Sequence, residues 1–459
     1  MNYKQLFKNI LYACGAQGVS FVLSILMSLF IPKILGVDAF GYWQLFIFYT
    51  SYAGLFHFGL NDGVYLKYGN KDYEALNYRM LGANMYLSVF VQSVIAAMVL
   101  LIAIPVLGPN EDRFFVIVET IIYIVICNYS SFLTTLLQIS NRIKAYSTCV
   151  VIDKISFMAV VVIGIATKCS NFKLYIILYI ATKTLAALYA AVCCKEVVGS
   201  FHAKGEIQEF VDNIKTGINL TISNVASMLV LGIGRAMIDQ QWGIEAFGKF
   251  SFALSLANFF LQFISQVSLV LFPMLCRVDS KKGAFYYQKL RVVVDICLSG
   301  IFLGYMPVCY ILGYWLPQYK DSLRYLIILL PICTYDGKMN MLCSTYLKVL
   351  RKEKILLAIN VASLAVSGIL CGISCYYIKN IYAVIVSMVV TIAIRSVFSE
   401  FYLGKLMQCD SMFDIIAEAV LAMSFVLCTW FLGIVQGWII CLVLFAIYLL
   451  VILKRQRKN

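Results

Sequence analysis

Stretches of about twenty apolar residues recur along this chain from Ile10 to Leu453, and they constrain its fold more than any other feature. A backbone crossing hydrocarbon must satisfy every N–H and C=O internally, which leaves only helices and closed barrels. Continuous apolar runs of this length, without strict alternation, read as helices. With 62% hydrophobic and 13% charged residues among 459, no stretch is left for a soluble domain. The chain therefore reads as an all-α polytopic membrane protein with about 14 transmembrane helices.

The first six expected spans are Ile10 to Leu35, Tyr42 to Leu66, Met80 to Val106, Phe114 to Ser140, Ser147 to Thr167 and Leu174 to Cys194. The next six are Ile214 to Ile238, Phe247 to Leu275, Val292 to Leu312, Leu323 to Leu347, Ile355 to Tyr377 and Ile381 to Leu403. A further pair, Phe413 to Leu432 and Trp438 to Leu453, closes the chain. Pro331 falls inside the tenth span, where it is expected to break the hydrogen bonding and form a kink or hinge.

The net charge is +14, from 37 Lys and Arg against 23 Asp and Glu. In a soluble chain this excess would suggest nucleic acid. Here the cations outside the spans divide by loop. Those from Lys4 and Lys8 through Arg142, Lys204, Arg291 and Lys354 to Lys458 number 24 on one side, against 8 on the other. The positive-inside rule then places both termini in the cytoplasm, and no nucleic-acid partner is expected. Lys4 and Lys8 before an apolar run resemble a signal sequence, but the run is long enough to span and reads as an uncleaved anchor.

One motif occurs twice. Gly36-Val37-Asp38-Ala39-Phe40-Gly41 returns as Gly243-Ile244-Glu245-Ala246-Phe247-Gly248, offset by 207 residues and with matching apolar flanks. Both copies follow a span that runs outward from the cytoplasm, so the halves repeat in parallel about an axis along the membrane normal. The expected layout is a six-helix bundle at 1–194, a cytoplasmic linker at 195–213, a second six-helix bundle at 214–407, and a helix pair with a basic tail at 408–459. Gly41 and Gly248 are expected at equivalent places.

Sixteen cysteines stand mostly alone inside apolar runs, and the two histidines, His57 and His202, complete no metal-ligand pattern, so no metal site is expected. The chain shows no phosphate-cradling glycine loop and no nucleophile–histidine pairing, and the outer loops are short. Transport without a bound nucleotide is the economical reading. The protein is not expected to be an enzyme and needs no cofactor, with H+ or Na+ as candidate coupling ions.

Charges within spans are functional candidates, since each is expensive in hydrocarbon. Five cations qualify as substrate-binding candidates: Lys154, Lys183, Arg235, Lys338 and Arg395. Lys183 and Arg395 are offset by 212 residues, close to the repeat. They are expected to face one central cationic cavity together with Lys338. Lys154 has a competing reading as a snorkelling side chain, and Arg235 as the partner of Asp239 one turn on. Asp62, Asp336 and Glu119 are the candidates for ion coupling. Asp336 is the deep one, and pairing with a cation is its alternative role.

Gly36 to Trp43 and Phe58-Gly59-Leu60-Asn61-Asp62-Gly63, with Arg235-Ala236-Met237-Ile238-Asp239 leading to Phe247-Gly248-Lys249-Phe250-Ser251, resemble the polysaccharide exporter family of the multidrug/oligosaccharidyl-lipid/polysaccharide superfamily. The two-bundle layout is similar over nearly the whole chain, although many relatives stop at twelve spans. The resemblance implies a Wzx-type flippase of the bacterial cytoplasmic (inner) membrane. Such a flippase carries undecaprenyl-diphosphate-linked oligosaccharide to the outer leaflet for O-antigen or capsule assembly. It implies membrane lipids, a polysaccharide polymerase and glycosyltransferases as partners. The competing classes are a multidrug or organic-cation antiporter of the same fold and a membrane oligosaccharide polymerase or ligase. Deep cations disfavour the first, and the short outer loops disfavour the second.

Overall fold

The computed structural model describes residue 15 and residues 18–69, 72–107, 111–200, 207–275, 283–409 and 411–458. Among these residues the chain is helical and holds no strand. The principal helices are α1 (Ile31–Thr50), α2 (Leu60–Tyr68), α3 (Tyr78–Leu107), α4 (Glu111–Ile139), α5 (Ile143–Thr167), α6 (Phe172–Cys193) and α7 (Ile207–Leu275). They continue as α8 (Gly283–Ser299), α9 (Tyr305–Trp315), α10 (Lys320–Lys338), α11 (Glu353–Gly372), α12 (Ile381–Leu406), α13 (Met412–Leu432) and α14 (Ile434–Lys458). Contacts group the chain into two compact units, Met1–Val225 and Ala226–Asn459. The boundary falls inside α7.

Among the described residues eleven helices are long and apolar enough to cross a membrane, or up to twelve if the bent pair Gly18–Leu29 and Ile31–His57 is one span. The expected count of about 14 differs at two places. Ile214 to Ile238 and Phe247 to Leu275 count as one of the eleven, because no loop separates them, but they are two helices that meet at a kink at Gly243. The described apolar part, Ile207–Leu261, is 55 residues, more than one crossing needs. The expected span Tyr42 to Leu66 is broken by the 3₁₀ turn Ala53–His57 and by positive φ at Phe58 and Gly59. The start of the first expected span lies outside the described residues.

The repeated motif has a backbone counterpart. Gly36 adopts φ 76°, ψ −178° and Gly243 adopts φ 80°, ψ −175°. That region is open only to glycine. No atom lies within 4 Å of a Cβ built at either position, so conformation and not crowding demands glycine there. Each copy thus bends its chain in the same way, 207 residues apart.

In the first unit, Trp43 is 1% exposed, stacked on Phe157 at 5.7 Å and edge-on to Tyr179. A second core joins Leu60 and Val64 of α2 to Leu133, Leu136 and Leu137 of α4 and Ala190 of α6. The start of α7 crosses α2 at backbone distance. A Cβ at Gly63 would overlap the Asn213 carbonyl, and one at Gly217 would overlap the Gly59 carbonyl. Lys67 pairs with Glu209 across the same crossing, and Tyr68 donates to Glu209 at 2.8 Å.

In the second unit α10 is the central helix, and 89% of the apolar window in Pro317–Val349 is buried. Pro331 lies inside it and supplies no N–H to its hydrogen bonding, yet the helix runs on to Lys338. The irregularity comes later, as a π-helical turn over Met339–Ser344. Helices α13 and α14 form a hairpin turned at Gly433, φ 91°. Trp438 of α14 ties it to the unit by donating to the Leu303 carbonyl at 2.8 Å.

Candidate functional site

Two groups of intramembrane charges stand out, one in each unit. In the first unit, α5 carries Asp153 and Lys154, and α6 carries Lys183. Lys154 Nζ lies 3.2 Å and Lys183 Nζ 3.5 Å from the same oxygen, Asp153 Oδ2. Two ammonium groups therefore share one carboxylate, which leaves the group with one positive charge in excess. The lysine side chains keep 29% and 20% of their surface exposed, so neither is sealed in the core. Tyr179 and Cys127 are within electrostatic reach of both lysines. The Tyr179 ring is fixed by Phe157 at 4.7 Å, Tyr123 at 5.5 Å, Trp43 at 5.7 Å and Phe46 at 5.9 Å. A cationic patch thus stands beside a rigid aromatic wall.

The second group is balanced differently. Lys338, at the end of α10 and 1% exposed, meets Asp295 of α8 at 2.8 Å, Glu400 of α12 at 3.1 Å, and Glu418 of α13. Arg291 of α8 lies 3.9 Å from Glu400 and pairs with Asp414 of α13. Arg455 of α14 reaches Asp414 at 3.3 Å. Four carboxylates and three cations from five helices form one buried network, in which the cations are outnumbered. It fastens the C-terminal hairpin to the rest of its unit. Lys338, expected to line a cavity, is instead enclosed by carboxylates.

Arg395 is also enclosed. It is 2% exposed, pairs with Asp336, and donates to Ser227 Oγ at 2.8 Å. Asp336 takes a second bond from Asn340 at 3.1 Å. The deep acid thus stands beside a cation, the alternative its position allowed. Arg235 donates to Ser251 at 3.2 Å and stands over the Phe247 ring at 5.4 Å. Asp62 accepts a hydrogen bond from Thr221. Glu119, half-buried on α4, shows no ion pair or hydrogen bond among the described residues. Of the five cations, only Lys154 and Lys183 come together.

Several members of the network carry sequence signals that depth along a span conceals. Arg291 and Asp295 are four residues apart, as are Asp414 and Glu418, so each pair marks one polar stripe on an apolar helix. Arg291 counts among the loop cations by sequence, yet it is 4% exposed inside the unit.

The profile of a family described as "Polysaccharide biosynthesis protein" matches residues 6–279, more than half of the chain. No curated protein matches. Among solved structures, the lipid II flippase MurJ in an inward closed conformation superposes with a TM-score of 0.68 at 11% identity, covering 99% of this chain and 100% of that one. An inward-facing multidrug resistance MATE family transporter of the MOP superfamily gives 0.65 at 12% identity, covering 84% and 94%. A MOP superfamily transporter from Pyrococcus furiosus, whose title describes a binding pocket of reverse polarity, gives 0.53 at 11% identity, covering 86% and 93%. At these identities the likeness concerns the fold.

Proposed function

The chain belongs to the polysaccharide biosynthesis protein family, and on that premise we propose that it is a flippase for lipid-linked oligosaccharide. The substrate we infer is undecaprenyl-diphosphate oligosaccharide, carried from the cytoplasmic to the outer leaflet of the bacterial cytoplasmic membrane by alternating access. Neither the sugar nor the diphosphate can enter hydrocarbon unaided, since every unsatisfied polar group is penalised there. The observation that carries the reading is the pair Lys154 and Lys183 on one carboxylate oxygen. A surplus cation that is only partly buried is unstable in a membrane unless an anion visits it.

A diphosphate arriving there would accept charge-assisted hydrogen bonds from both ammonium groups. Asp153 competes for the same protons, which keeps the grip loose enough for release. The aromatic wall around Tyr179 offers flat faces to a sugar. An organic-cation exporter of the same fold would need the opposite balance of charge at this place. Lys338 and Arg395 are neutralised within the second unit, and their role in this proposal is to hold helices together. H+ or Na+ remains the coupling ion proposed, with Asp62 and Glu119 as its candidate sites.

The test is complementation of a flippase-null strain, with membrane abundance measured alongside. The variant Lys154→Ala/Lys183→Ala should abolish most surface polysaccharide at normal abundance, and Lys154→Arg/Lys183→Arg should retain most of it. Full surface polysaccharide in the double Ala variant would remove the basis of the proposal.

A further inference from the structure

A cavity of about 580 Å³ opens in the second unit where α9, the start of α10 and the α13–α14 turn meet. Its walls include Tyr305, Lys320, Arg324, Thr429, Trp430 and Gly433. Lys320 precedes Lys338 by 18 residues on α10, about 27 Å along the axis, so the cavity is separate from the buried network.

Lys320 and Arg324 stand one turn apart, both exposed, and neither has an ion pair or hydrogen bond among the described residues. Like charges at this spacing repel. The acid beside them, Asp321, is drawn away by Lys249 at 3.3 Å. A second observation is independent of the cations. Thr429 is 3% exposed in the cavity wall, and its hydroxyl has no hydrogen-bond partner among the described residues, whereas buried hydroxyls are nearly always bonded. Helix α10 begins without a side-chain cap, so the positive end of its dipole adds to the two cations. Trp430 is held edge-on to Tyr382 at 5.3 Å and forms an apolar flank.

We propose that this cavity binds a phosphate headgroup of net negative charge, one without a cationic group of its own. Arg324 presents a planar fork to the phosphate oxygens, Lys320 a point charge, and Thr429 a hydroxyl from the wall. The ligand chemistry is a phosphate anion, borne by a lipid or free. The site's place on the outer side rests on the orientation proposed above, but the binding itself does not.

The full chain, purified in detergent, would be titrated with phosphatidylglycerol and phosphatidylcholine under native mass spectrometry, and with inorganic pyrophosphate by calorimetry. The expected result is retention of phosphatidylglycerol or pyrophosphate, weakened about tenfold for each cation removed in Lys320→Ala/Arg324→Ala. Lys320→Arg/Arg324→Lys should keep most of the binding, and Thr429→Val should lose a smaller part. Binding of phosphatidylglycerol alone would identify a lipid headgroup, and binding of both would identify phosphate itself. Equal binding by wild type and the double Ala variant, or equal retention of phosphatidylcholine, would overturn the proposal. The titrations are repeated on a Lys154→Ala/Lys183→Ala background, which removes the pyrophosphate contacts proposed for the first unit, so binding that persists there belongs to this cavity and the two proposals fail separately.

Discussion

Replacing Lys338 by Met removes the ammonium that Asp295, Glu400 and Glu418 share while roughly keeping the volume of the side chain. The attraction to Asp295 at 2.8 Å and Glu400 at 3.1 Å is about 5–6 kcal/mol each at an effective dielectric of 20, before desolvation. Desolvation cancels several kcal/mol per ion, and removing one partner of a buried network leaves a net loss of about 3–5 kcal/mol. Spread over a unit of this size, that is a fall of roughly 10 °C in the unfolding midpoint. The assay is thermal unfolding of the detergent-purified chain at fixed scan rate, followed by size-exclusion recovery. Lys338→Met combined with Glu418→Leu, which removes cation and carboxylate together, should recover about half of the loss. If Lys338→Met unfolds at the wild-type midpoint while transport is lost, the network is not structural and Lys338 is a substrate contact.

Asp153→Asn raises the excess charge at Lys154 and Lys183 from one to two, so pyrophosphate should bind about threefold to tenfold tighter while flipping slows, measured by competition binding and transport on one preparation. Gly63→Ala drives a methyl group into the Asn213 carbonyl and should destabilise by about 1–3 kcal/mol, seen as lost membrane abundance of a fluorescent fusion; Gly313→Ala, with nothing within 4 Å, should be neutral. A single cysteine in place of Lys204, on a background free of native cysteines, should escape impermeant thiol reagents in intact cells, and labelling there would reverse the orientation.

The helical spans, the repeat and the deep charges are all legible in the sequence, because each is a pattern along one dimension. Gly36 and Gly243 announce themselves as a repeated hexapeptide, and their shared backbone bend follows from residue type. What a one-dimensional reading cannot supply is the partner of each charge. Asp295, Glu400 and Glu418 lie toward the ends of their own spans, yet they converge on a lysine near the middle of another, because α10 extends through a π-helical turn beyond Lys338. Arg291 was hidden by its place among loop cations. Pro331 does not end its helix, which runs on for seven residues to Lys338 inside a buried segment. The sequence reading groups Lys183 with Lys338 and Arg395, whereas in the structure it meets Lys154, because the two lie on consecutive helices and share Asp153, which adjoins one of them.

The most direct measurement is the flipping rate of purified protein in liposomes. A fluorescent undecaprenyl-diphosphate oligosaccharide is placed in one leaflet and its exchange read by an impermeant quencher. Lys154→Ala/Lys183→Ala removes two charge-assisted hydrogen bonds of about 1.5–3 kcal/mol each, so the rate should fall at least about tenfold at unchanged thermal stability. Lys154→Arg/Lys183→Arg should flip at near the wild-type rate. Flipping by the double Ala variant as fast as wild type would contradict the account.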